Sequence, residues 1–71
     1  MSTFRFSSAL SNEDIRRRLR DVTGDDVRLY EGDRGERVAK MSASQADKLN
    51  RMPVSTRHAA FGGRVKQQLN G

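Results

Sequence analysis

Apolar positions recur with helical spacing twice in this chain, and a glycine-rich turn separates the two stretches. Ile15, Leu19 and Val22 fall at i, i+4 and i+7, one narrow stripe along a helix. Ser11 stands at the N-cap, Asp14 at the third helical position, and Leu10 and Ile15 have the spacing of a hydrophobic staple. Glu13 precedes Arg17 by four and Asp14 precedes Arg18 by four, the favourable order for helix ion pairs. Gly24 supplies a left-handed closing residue, so a helix is predicted over 12–22. Ser42, with Gln45 at the capping-box position and Met41 and Ala46 at staple spacing, opens a second helix. Ala46, Leu49 and Met52 form its stripe, and Pro53 stops it.

Between the helices, Val27 to Glu31 and Glu36 to Met41 flank Gly32-Asp33-Arg34-Gly35, the residues of a hairpin turn. A four-residue loop puts Val27, Leu29 and Val38 on one face, and Arg28, Tyr30, Ala39 and Met41 on the other. A shift of one residue would exchange these partners. Residues 1–10 alternate weakly through Phe4 and Phe6 and read as an N-terminal arm or edge strand. Residues 11–52 form the helix–hairpin–helix core. Residues 53–71 read as a basic, conditionally ordered C-terminal tail. Phe61, Val65 and Leu69 recur every four residues there, but Gly62 and Gly63 cost a helix about 2 kcal/mol relative to alanines. A helix that orders on a partner surface is the expectation for this tail. The fold class is therefore α+β: a small single domain, helix–β-hairpin–helix with a conditional C-terminal helix. Its expected core is Ile15, Leu19, Val22, Leu29, Val38, Leu49 and Met52.

Composition narrows the classes. With 71 residues, 34% of them apolar and no Trp, the chain is near the lower limit for a self-sufficient core, which favours a partner or self-association on assembly. The absence of Cys excludes disulfides, thiolate metal sites and thiol nucleophiles. Arg5 interrupts Met1 to Leu10, which has no apolar core of signal-peptide length. No run reaches the roughly 20 apolar residues of a membrane span. A soluble protein of the cytoplasm or a virion, without membrane contact, is expected. The net charge of +5 is uneven: +2 over residues 1–24, −1 over 25–41 and +4 over 42–71. Such a field suits nucleic acid or an acidic protein surface.

No catalytic constellation emerges. His58 is the single histidine, and no Cys, Asp or Glu lies within helical reach of it to share a metal or orient a proton. Asp25-Asp26 follow a helix end, where a solvated loop is the simpler reading, and Glu31, Asp33 and Glu36 surround a turn. Gly32-Asp33-Arg34-Gly35 and Gly62-Gly63-Arg64 lack the strand–loop–helix context of a phosphate loop; a turn explains the first and a hinge the second. The expectation is a non-enzymatic protein with no catalytic, cofactor or metal residues. The basic run gives Arg16, Arg17 and Arg20, with Arg64 and Lys66, as candidate nucleic-acid contacts, although Glu13, Asp14 and Asp21 favour a solvated ion-paired face for the run on the helix. Arg57, Phe61, Arg64, Val65, Lys66 and Leu69 are the partner-binding candidates.

The order of features resembles the W-type head-to-tail joining proteins of tailed phages. Leu19, Asp21, Thr23-Gly24, Val27, Asp33, Gly35, Arg37-Val38, Ser44 and Asp47 carry that resemblance over about half of the chain. The chain departs from the pattern in a turn one residue longer, in Pro53, and in its Gln67-Gln68-Leu69-Asn70-Gly71 end. The resemblance implies a virion connector without catalysis, seated on an oligomeric portal-type protein, its tail ordering on assembly. The alternatives are a nucleic-acid-binding or regulatory protein of a phage or mobile element, or a small inhibitor docking on a host machine.

Overall fold

Phe4 and Phe6 lie two residues apart with Arg5 between them, so an extended backbone sends both rings to one side and the arginine to the other. In the computed structural model, which describes residues 1–68, the rings are 1% and 0% exposed at the centre of the core. They belong to strand β1 (Ser2–Ser8), followed by helix α1 (Asn12–Thr23), strands β2 (Leu29–Glu31) and β3 (Arg37–Met41), helices α2 (Ala43–Asn50) and α3 (Val54–Ala60), and strand β4 (Gly63–Gln68). The strands form one antiparallel-paired sheet in the order β2-β3-β1-β4. With β3 between β1 and β2, this is the split-βαβ arrangement of ferredoxin-like domains, with α3 added before the last strand. The fold is thus α+β.

The helix signals read from the sequence are in place. Ser11 accepts a hydrogen bond from the Asp14 amide at 3.2 Å, and Gly24 closes α1. Ser42 and Gln45 form a complete capping box at α2. Ile15, Leu19, Ala46 and Leu49 project from these helices onto Phe4, Phe6, Ala39 and Met41 of the sheet. Val22, Leu29 and Met52, expected in the core, are only partly buried at its margin.

Three expectations are corrected. Residues 2–8 are neither an arm nor an edge strand: β1 is an inner strand, because its two phenylalanines supply apolar volume that the helices need beneath them. The hairpin loop has three residues, Asp33–Gly35, rather than four, with the Gly32 amide donating to the Glu36 carbonyl at 2.7 Å. Arg34 adopts a left-handed conformation (φ 57°) beside Gly35 (φ 77°), and the change from even to odd loop length moves the register by one. Leu29 therefore pairs with Ala39, and Tyr30 with Val38. Val38 is buried, but on the face away from the helices.

The third correction concerns the tail. Residues 54–60 are helical and 63–68 form β4 along β1, so no single helix runs through Phe61 and Val65. A spacing of four keeps residues on one side of a helix, but as an even number it does the same in a strand. Gly62-Gly63 decides between the two. A Cβ on Gly63 would overlap the Ser7 carbonyl oxygen, so glycine is required where β4 starts against β1. The Phe61 ring packs on Phe6 at 5.1 Å between centroids, tilted by 57°, and the Ser8 hydroxyl donates to the Phe61 carbonyl. Leu69 lies outside the described residues. Arg37 ties β3 to the β1–α1 connection by donating to the Ser8 and Leu10 carbonyls and to the Asn12 side chain at 2.9–3.2 Å.

Gly63→Ala should therefore be more damaging than Gly35→Ala, although only Gly35 has a positive φ. The first forces two backbones apart, an overpacking cost of about 1–3 kcal/mol or more. The second meets nothing within 4 Å and carries only a left-handed penalty of about 1 kcal/mol. Thermal melts read the order directly, and equal melting temperatures would contradict the β1–β4 approach.

Candidate functional site

Alternation along each strand sorts side chains between two faces. One face is covered by the helices, and the other has no layer over it, the common state of an antiparallel sheet. The uncovered face takes Thr3, Arg5 and Ser7 from β1, Arg64, Lys66 and Gln68 from β4, Val38 and Lys40 from β3, and Tyr30 from β2. Four of these are cations. One carboxylate, Glu36, approaches them, with an oxygen 3.6 Å from the Arg5 guanidinium. Arg5 also donates through Nε to Gln68 at 3.0 Å. Among the described residues, no carboxylate lies within 4 Å of Lys40, Arg64 or Lys66.

The register makes this concentration costly. Arg5 and Lys66 are direct partners across β1 and β4, and like charges placed opposite each other destabilise a sheet. Toward β2 the face becomes apolar. Tyr30 is 46% exposed and stands opposite Val38, with the Lys40 ammonium 5.5 Å from its ring centroid. A Cβ on Gly32 would lie 3.0 Å from Val38 Cγ2 and 3.3 Å from an Arg5 guanidinium nitrogen, so Arg5 reaches over this corner. The resulting surface is a cationic strip beside one exposed aromatic ring. It can accept phosphate groups and offer a stacking surface.

The candidates drawn from the sequence separate into three places. Arg64 and Lys66 lie on the open sheet face. Arg16, Arg17 and Arg20 are exposed on α1, in the layer on the other side of the sheet, so the two sets do not form one site. Around those arginines the charge is mixed. Arg17 lies 3.9 Å from Asp14 and Arg20 3.8 Å from Asp26, and the shallow depression there is also lined by Glu13. Arg17 and Arg20 are thus ion-paired on a solvated helix face. Phe61 and Val65, expected to meet a partner, are 0% and 6% exposed in the core and so are not available for docking. Arg57 is half-buried on α3 and donates to Asn50 at 3.0 Å, and Asn50 in turn donates to Gln67, linking α3, α2 and β4.

Arg5, Lys40 and Tyr30 were missed. The signal for Arg5 was the polar–apolar alternation of Thr3-Phe4-Arg5-Phe6-Ser7, and the same alternation in Arg64-Val65-Lys66 marked β4. Lys40 and Tyr30 come together only in the corrected hairpin register. Among the described residues, no three His, Cys, Asp or Glu side chains gather as a metal site, and no helix is long and apolar enough to cross a membrane. Compared with known proteins, the chain matches no family model, no curated protein and no solved structure.

The Arg5–Lys66 pair yields a stability test. Lys66→Glu turns a like-charge pair into an opposite-charge pair, worth roughly 0.2–1 kcal/mol in a sheet. The variant should melt at or above the wild-type temperature. A marked fall would show that Lys66 supports the fold and is not held there against it.

Proposed function

We propose that this protein is a non-enzymatic nucleic-acid-binding module that docks a phosphate backbone on its open sheet face. The observation that carries this reading is the register-enforced cluster of Arg5, Lys40, Arg64 and Lys66 on one face, with Glu36 the one carboxylate within 4 Å of them among the described residues. Cations held together against their own repulsion are relieved by a polyanion, and release of its condensed counterions supplies the binding free energy. Of the α1 arginines, Arg17 and Arg20 already have acidic neighbours within 4 Å. The reading rests on the chemistry of the face rather than on the topology, which serves many functions.

The assembly reading, a joining component of a virion seated on an acidic oligomeric protein, keeps the electrostatic half of its support. The same strip fits an acidic surface. Phe61 and Val65 lend it no support, because both are in the core.

Fluorescence anisotropy against salt concentration distinguishes the faces. Binding should weaken with a log–log slope of about −0.7 per phosphate for single strands or about −0.9 for duplex. Arg64→Glu with Lys66→Glu should abolish retention at moderate salt, while Arg16→Glu with Arg17→Glu should leave most of it. Loss on the α1 reversals with retention on the β4 reversals would move the site to the helix. No binding to any nucleic acid at low salt would refute the proposal.

A further inference from the structure

Building on the nucleic-acid reading, we infer that the ligand is a single strand, with one base stacked on Tyr30 and the adjoining phosphates running across the sheet to Lys40, Arg5 and Lys66. The shape of the face argues against a duplex. Three inter-strand spacings separate β2 from β4, a breadth of roughly 14 Å. The major groove of B-form DNA is about 12 Å wide and admits a helix or a two-stranded ribbon, not a four-stranded sheet. A broad sheet with one exposed ring instead suits unpaired bases, which are free to splay out and stack on aromatic side chains.

The placement of Tyr30 supports the same conclusion. It is nearly half exposed in a chain that buries all three of its phenylalanines, and it stands at the apolar end of the cationic strip, not inside it. Its register partner across the sheet, Val38, is buried and stands beside it on the same face. The Lys40 ammonium rests over the ring at 5.5 Å in the free protein. An exposed cation–π contact is weak, so an incoming base displaces it and Lys40 meets the phosphate that accompanies that base. Arg5 is next along the face, and Lys66 lies directly across from Arg5 on β4. A stacked nucleotide at one end and charge pairing at the other fix the course of the strand across β2, β3, β1 and β4.

Tyr30 is the only tyrosine and the chain has no Trp, so intrinsic emission reports on this one ring. The probes are a fluorescein-labelled oligothymidylate, an oligouridylate and a mixed-sequence duplex, each of about 12 nucleotides or base pairs, within the footprint of a small single-strand binding domain. The single strands should bind more tightly than the duplex and quench tyrosine emission. Tyr30→Ala should weaken single-strand binding roughly tenfold without changing the salt slope, and Tyr30→Phe should restore it. Lys66→Ala should lower the slope by about 0.7, the share of one phosphate on a single strand. Equal or tighter duplex binding with unchanged emission, or a Tyr30→Ala variant of wild-type affinity, would overturn the single-strand inference and leave the sheet face as a phosphate-binding surface. Absence of binding to all three probes, with polyglutamate bound instead, would overturn both readings and assign the face to an acidic protein.

Discussion

The pairing of β1 with β4 is the constraint on which the rest of the structure depends. It joins residues 3–8 to residues 63–68, so the two ends of a short chain must meet before the sheet is complete. The entropy of closing so long a loop has to be offset by what the pairing buries. Phe4, Phe6, Phe61 and Val65 supply that burial, and the Phe6–Phe61 contact spans the joint. Glycine at position 63 lets the two backbones come close enough for the ladder to form. Without this joint the sheet would stop at β2-β3-β1 and the core would lose Phe61 and Val65.

The same pairing builds the candidate site. Each strand that sends apolar side chains toward the helices sends its alternate residues to the open face, so the register that closes the core also fixes the cations. Phe4 and Phe6 inward require Arg5 outward; Val65 inward requires Arg64 and Lys66 outward. Fold and electrostatic site are thus two consequences of one register. The repulsion between Arg5 and Lys66 is borne by the apolar packing directly behind it, which explains why a small domain can hold that pair. Glu36 and Gln68 each engage Arg5 and relieve part of the strain while leaving Lys66 and Arg64 available.

What the sequence revealed follows the range of the interactions involved. Local chemistry was legible: Ser11 and Ser42 cap their helices, Gly24 ends the first, and Pro53 separates the second from the third. Ile15, Leu19 and Leu49 are core residues as their spacing required. The hairpin was legible as a hairpin, but its register turned on Arg34 accepting a left-handed conformation, which no side chain announces. The inner position of β1 and the strand at β4 depend on contacts between opposite ends of the chain, where local periodicity says nothing of the partner. For the same reason only two of the five residues of the candidate site were legible. Arg64 and Lys66 stood out as charge, while Arg5, Lys40 and Tyr30 join them only once the sheet exists.

The central claim is that the open sheet face is the binding surface. Backbone amide chemical shifts, followed while a short oligothymidylate is titrated into the isotope-labelled protein, test it most directly. Progressive shifts are expected at Thr3, Arg5, Tyr30, Val38, Lys40, Arg64 and Lys66, with the α1 amides from Arg16 to Arg20 unmoved. Shifts concentrated on α1, or a spectrum unchanged at low salt and saturating oligonucleotide, would contradict it.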